Sequence, residues 1–213
     1  MRYRLDPASP WSCVHQQVRP QPFIHRVLVD CGVGLTYAIP CSQVVAQQHA
    51  LLREHDIKHV LSVTPYAIPT FPDTVNYLVI PLLDIVSANL LEHLDACLAF
   101  IDAAVARREN VLVHCRAGVS RSASVVIAWC MRALGYSLPR AVAYVQAVRP
   151  IIEPNAGFML QLQLFSELGN RVPDGDTRVA FLQWRLANRH QGDALAIGMS
   201  SSTRCCIDPS CVQ

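Results

Sequence analysis

Four short runs rich in Val, Leu and Ile, at residues 26–30, 58–64, 75–80 and 111–114, are bounded by turn residues and predict β-strands. Between and after them the apolar positions recur at helical spacing. Residues 43–55 predict a helix with Ser42 as N-cap. Residues 90–108 predict a longer one, with positions 90, 91, 94, 98, 101 and 105 on one face and Asn89 or Ser87 as cap. After the fourth strand a helix over 122–134 ends at Gly135, the expected left-handed C′ position. A helix over 138–149 starts at Ser137 and stops at Pro150, and another over 156–168 starts at Asn155 and stops at Gly169. This alternation predicts an α/β fold. A central, mainly parallel sheet of about four to five strands is flanked by helices on both faces, with the ligand site beyond the C-terminal ends of the strands.

Three stretches follow from the same pattern. Residues 1–25 are rich in Pro and Gln and read as an extended arm, 26–169 as the folded domain, and 170–213 as an extension that loses the rhythm. In the extension, 177–190 predict a helix packing on the domain through Val179, Leu182 and Leu186, with disorder beyond.

Composition narrows the class. With 213 residues and 52% hydrophobic positions, a large core is expected. The formal net charge of +2 is spread along the chain, too little to imply nucleic acid or an acidic membrane surface as partner. The first residues lack the apolar stretch of a signal peptide, Arg2 replaces the glycine needed for myristoylation, and no apolar run reaches spanning length. Cys211 is third from last, one position off the prenylation pattern. A soluble protein of the cytoplasm or nucleus is expected, and no pattern specifies an oligomeric state. Nine cysteines, an odd count scattered through apolar segments, argue against a disulfide framework. Cys205, Cys206 and Cys211 lack a Cys-x2-Cys pair and a fourth ligand, and His55 and His59 straddle a helix end and a strand start, so no metal site is expected.

The chemistry is carried by Val111-Leu-Val-His-Cys115-Arg-Ala-Gly-Val-Ser-Arg121-Ser122. A bare Cys-x5-Arg spacing means little, since Cys13 and Arg19 share it by chance. Cys115, however, ends a strand, opens a helix, carries Gly118 midway and is flanked by His114 and Ser122. A strand turning straight into a helix aims backbone N–H groups into one concavity, where the helix dipole adds positive potential. Residues Arg116, Ala117, Gly118, Val119 and Ser120 would line a phosphate there, and Arg121 would clamp it with two parallel hydrogen bonds. The same field favours a thiolate at Cys115, and Ser122 is placed to donate to the sulfur. Displacement at phosphorus also needs an acid for the leaving oxygen. Asp84 lies in a loop after a strand and before the long helix, at the same sheet edge as Cys115. Asp73 precedes its strand and belongs at the opposite edge.

The run from His114 to Ser122 resembles the signature of the dual-specificity protein phosphatases, within the cysteine-based protein tyrosine phosphatase superfamily. The resemblance extends over roughly 26–169, through the loop 81–84, the apolar helix 90–101, Glu153-Pro-Asn-Ala-Gly-Phe158 and Gln161-Leu-Gln-Leu-Phe165. It points to atypical members, including the branch with a C-terminal zinc-binding domain, which the tail spacing here does not supply. The resemblance implies a phosphoprotein substrate, no metal or organic cofactor, and a two-step reaction through a phosphocysteine. It also implies that His114 tunes the cysteine and that Asn155 supports the loop. A phosphoinositide, an RNA 5′ phosphate or a phosphoglucan is the alternative substrate class. Lipid-directed relatives carry several basic residues in the loop, where this chain has Arg116 alone and Val119 in place of a lysine. A phosphate-binding scaffold with secondary turnover is the other alternative, disfavoured by the presence of Cys115, Arg121 and Asp84. A low-pKa Cys115 should be peroxide-sensitive, with Cys31, Cys97 and Cys130 as candidate rescuing thiols.

Overall fold

Alternating burial along the strands sets the two layers of the molecule. The computed structural model describes residues 27–29 and 49–187. Strands β1 (Val27–Val29), β2 (Ile57–Val63), β3 (Asn76–Ile80) and β4 (Asn110–His114) form one parallel sheet in the order β1-β4-β2-β3. Leu61 and Val63 of β2 and Val111 and Val113 of β4 point into the larger apolar cluster. The intervening Val60 and Leu112 join a smaller cluster with Leu52 and Val75, as the period of two requires. A register shift between Ile57 and His59 turns Ile57 onto the face of Val60 rather than that of Leu61.

The helices are divided unequally between these faces. Helix α1 (His49–Glu54) covers the smaller cluster through Leu52. Helices α2 (Leu91–Ala106), α3 (Arg121–Leu134), α4 (Leu138–Val148), α5 (Ala156–Glu167) and α6 (Thr177–Ala187) all contribute to the larger one. Helix α3 runs through the middle, with every residue from Arg121 to Met131 buried, so its sequence is apolar or small nearly all round. The strand and helix limits expected from the sequence are met to within about two residues. The helix expected over 43–55 is described from His49 onward and the one expected over 177–190 up to Ala187; Ser42 and residues 188–190 lie outside the described residues, as do Arg26 and Asp30 of the expected first strand. Gly135 closes α3 at φ 65°, the left-handed conformation expected of it.

The face of α6 corrects the sequence reading. Val179, Leu182 and Leu186 are exposed. Phe181 is buried instead, stacked with Trp184 at a centroid distance of 6.1 Å, and both pack on the larger cluster. Trp184 Nε1 also donates to Glu167 Oε2 over 2.6 Å. The two aromatic rings bury more apolar area than the aliphatic stripe could, and that decides which side faces inward.

Because all four strands are parallel, the loops after β2, β3 and β4 leave one edge of the sheet together. Strand β4 is interior, so the turn into α3 sits at the centre of that edge, and the loop between β3 and α2 arches towards it. Asp73, before β3, lies at the other edge.

Candidate active site

The turn from β4 to α3 takes six residues, 115–120, and almost every carbonyl in it is bonded on its outer side. Arg149 donates from Nε to Gly118 O (2.8 Å) and from Nη2 to Ala117 O (3.0 Å). The Glu153 amide donates to Val119 O over 2.9 Å. Ser120 O accepts from both the amide and the hydroxyl of Ser124, each at 2.8 Å. A planar trans peptide points its N–H opposite to its C=O. Turning these four carbonyls outward therefore turns the amides of Gly118, Val119, Ser120 and Arg121 inward, into one concavity at the N-terminus of α3. Gly118 holds φ +64°, and a Cβ there would stand 3.0 Å from the Arg149 guanidinium, so both backbone and space call for glycine.

Cys115 lies at the bottom of this bowl, 1% exposed. Its Sγ accepts hydrogen bonds from the Gly118 amide and from Ser122 Oγ, both at 3.3 Å. Burial alone pushes the thiol pKa up. The Ser122 hydroxyl and amide, the Arg121 charge and the Gly118 amide together outweigh it, and the thiol lies below its ordinary value. His114 fixes the preceding peptide. Its Nδ1 approaches Cys115 O at 3.1 Å, and because a carbonyl only accepts, that nitrogen carries the proton. Nε2 then accepts from Ser62 Oγ over 2.7 Å. Burial lowers the His114 pKa, in keeping with this neutral tautomer.

Arg121 is buried at the wall of the bowl. Its Nη1 donates to Leu82 O over 3.3 Å, while Nε makes no hydrogen bond and stands 3.5 Å from Asp84 Oδ2. Asp84 comes from the β3–α2 loop and is a third exposed by its side chain. Its Oδ1 accepts from Ser120 Oγ (2.7 Å) and Asn155 Nδ2 (2.9 Å). Asn155 has a double part, since its Oδ1 also caps α5 by accepting from the Phe158 amide over 3.0 Å. Ser120 Oγ completes the ring by accepting from the Asn155 amide at 3.0 Å. Cys115, Ser122, Arg121, Ser120, Asp84 and Asn155 thus form one connected group from three segments of the chain, with Arg116 and Ala117 exposed at the mouth.

Four residues of this architecture were given no role by sequence reasoning: Arg149, Ser62, Gly157 and Gln161, although Gly157 and Gln161 lie in segments that carry the resemblance. Their contacts cross 31 to 73 positions of sequence, and only the sheet order brings the partners together. Two of them had a local signal. Arg149 ends a helix just before Pro150, and Gly157 falls in the first turn of a helix, where glycine is otherwise costly. Cys97 and Cys130 are fully buried, and burial pushes both thiols up to about 12. Cys130 is nine residues along α3 from Arg121, roughly 13 Å down the axis. Cys31 and the three tail cysteines lie outside the described residues. Among the described residues no cluster of His, Cys, Asp or Glu could hold a metal ion, and no helix is long and apolar enough to cross a membrane.

Comparison with known proteins agrees with this geometry. The family described as "Dual specificity phosphatase, catalytic domain" matches residues 40–167. Dual specificity protein phosphatase 19 of Mus musculus is 35% identical over 162 residues, which cover 73% of this chain and 74% of that one. Dual specificity protein phosphatase 1 of Arabidopsis thaliana is 38% identical over 122 residues, covering 57% and 62% respectively. The crystal structure of human DUSP28 aligns with a TM-score of 0.57 at 34% identity, over 60% of this chain and 89% of that one. The chain belongs to the dual specificity phosphatase family, among its atypical members, and hydrolyses phosphotyrosine and phosphoserine/threonine in proteins.

Proposed function

We propose that Cys115 is the nucleophile, Arg121 the phosphate clamp, Asp84 the general acid and base, and Ser122 the donor that eases departure of the sulfur. In the first step the Cys115 thiolate attacks phosphorus. An S–P bond forms as the bond to the substrate oxygen breaks, and Asp84 gives its proton to that oxygen. In the second, water attacks the phosphocysteine, Asp84 takes the proton of the water, and the S–P bond breaks to return the thiolate, which Ser122 Oγ stabilises. Inorganic phosphate leaves, and Asp84 is protonated again for the next turnover. Oδ1 of Asp84 is already engaged by two donors, which leaves Oδ2 as the oxygen with capacity to exchange a proton with the leaving group and the water.

The observation that carries this reading is the Cys115 sulfur, held at equal distance by the Gly118 amide and the Ser122 hydroxyl in a loop whose carbonyls from Ala117 to Ser120 are bonded on the outer side. Around the mouth, Leu83, Ile85, Val86 and Ile151 are exposed, and the loop carries only Arg116 and Arg121 as cations. An apolar rim with few charges suits a peptide better than a polyanionic headgroup, supporting a phosphoprotein over a phosphoinositide, RNA or phosphoglucan substrate. A reaction that depends on a free thiolate suits a reducing compartment, and we place the protein in the cytoplasm or nucleus on that ground.

The test is phosphate release from phosphotyrosine and phosphothreonine peptides and from a phosphoinositide, with wild type, Cys115→Ser and Asp84→Ala. Release from both peptides, abolished in the first variant and reduced in the second, is expected. Turnover of the lipid alone would overturn the substrate reading, and turnover that survives Cys115→Ser would overturn the mechanism.

A further inference from the structure

Asp84 works only if its loop stays over the thiolate, and the loop between β3 and α2 has no regular structure of its own from 81 to 90. What holds it is α5. Gln161, one of the few buried polar residues at 1% exposure, uses all four of its side-chain hydrogen-bonding positions in one place. Its Oε1 accepts from the amides of Leu90 (2.7 Å) and Leu91 (3.2 Å), and its Nε2 donates to Ala88 O (2.9 Å) and Gly157 O (3.1 Å). Helix α2 begins without a cap from its own Leu90 side chain. Gln161 satisfies the Leu90 and Leu91 amides, Asn89 Oδ1 accepts from the Glu92 amide at 3.4 Å, and the His93 amide bonds Leu90 O at 3.0 Å.

One turn nearer the N-terminus of α5, Gly157 lies against the backbone of Val86, so closely that a Cβ there would fall 2.0 Å from Val86 O. The cap and first two turns of α5 therefore meet the loop at three successive points. Asn155 meets the Asp84 carboxylate, Gly157 the Val86 backbone, and Gln161 the end of the loop with the start of α2.

We infer that Gln161 is a positioning residue for the general acid: by clamping residues 88–91 to α5 it sets the place of Asp84 over Cys115, while touching neither substrate nor phosphate loop. The inference rests on Asp84 acting as the acid. It also implies that the loop is held in its working position before substrate arrives.

A merely structural role would lower activity evenly, whereas misplacing the acid harms substrates in proportion to their need for a proton. The experiment measures kcat/KM, which reports steps through leaving-group departure, for aryl phosphates from dinitrophenyl to phenyl phosphate. It uses wild type, Asp84→Asn, Gln161→Leu and the double variant. Asp84→Asn is expected to lose on the order of 10²-fold on phenyl phosphate and far less on the dinitrophenyl ester. Gln161→Leu should follow the same slope, losing about tenfold on phenyl phosphate and under about twofold on the dinitrophenyl ester. Combined with Asp84→Asn it should cost under about twofold more. The pH profile of Cys115 alkylation should be unmoved. Should Gln161→Leu fail to fold, Gln161→Glu keeps an oxygen for the α2 amides while giving up the donors to Ala88 and Gly157, and it should show the same slope. A loss equal across leaving groups, or one fully additive with Asp84→Asn, overturns the positioning role. A flat profile for Asp84→Asn itself would instead remove the acid assignment, and the inference with it.

Discussion

Arg149 Nε donates to the carbonyl oxygen of Gly118 over 2.8 Å, and the same guanidinium reaches Ala117 O at 3.0 Å. The bond acts at one remove, since drawing these carbonyls outward is what leaves the Gly118 and Val119 amides facing into the bowl above Cys115. Arg149→Ala should therefore weaken binding of orthovanadate and inorganic phosphate by about tenfold, the scale of one charge-assisted hydrogen bond. Arg149→Lys should recover little, because a single ammonium lacks the planar fork that spans two carbonyls. Inhibition constants for orthovanadate check both statements.

The thiol of Cys115 lies below its ordinary value, so alkylation by iodoacetamide should remain fast well under the usual thiol pKa of about 8.5 and slow only in acid. Ser122→Ala removes the hydroxyl donor to the sulfur, while the backbone amide at 122 stays, and should move the profile to higher pH. The sign for stability follows. A group whose pKa is depressed on folding adds stability that is complete above the unfolded value and is lost as pH falls through the folded one. Denaturant midpoints of wild type should therefore rise with pH from the depressed folded value of Cys115 up to the unfolded one, and Cys115→Ser should lack that component.

Cys97 and Cys130 have the opposite sign. Their thiols are pushed up to about 12, so the stability they contribute is complete below the unfolded value of about 8.5 and is lost as pH rises from there towards 12. Neither should react with a thiol reagent in the native fold, and mass-spectrometric mapping should find them labelled only on unfolding. Recovery of peroxide-treated enzyme under reductant should be the same in Cys97→Ala and Cys130→Ala as in wild type.

Gly157→Ala places a methyl group 2.0 Å from Val86 O, far inside contact distance. Backbone on one side and helix on the other leave it no room, and a loss of roughly 1–3 kcal/mol is expected, read as a lower denaturant midpoint. Activity should fall further than stability accounts for, because the displaced segment carries Asp84.

The strands, α3 and the 115–122 loop were legible because their information is local: runs of Val and Leu, a glycine at a left-handed turn, and a cysteine between strand and helix. Asp84 could be placed at the right edge by reasoning that all loops after parallel strands leave together. What local pattern does not contain is which distant group answers a given need. The start of α2 shows this, since Asn89 takes only the Glu92 amide and the Leu90 and Leu91 amides are met by Gln161, about 70 positions on. Helix α6 shows it differently, because Val179, Leu182 and Leu186 compete with Phe181 and Trp184 for the inward side, and spacing alone does not weigh ring area against aliphatic area.

The central claim is that phosphate passes through a covalent bond to Cys115, and rapid acid quenching tests it most directly. Asp84→Asn is mixed with dinitrophenyl phosphate, whose leaving group needs little protonation, so the intermediate forms quickly and its hydrolysis is slowed. Peptide mapping should find phosphate on the peptide that carries Cys115, and none anywhere in Cys115→Ser. Phosphate on another residue, or turnover by Cys115→Ser at the wild-type rate, would contradict the account.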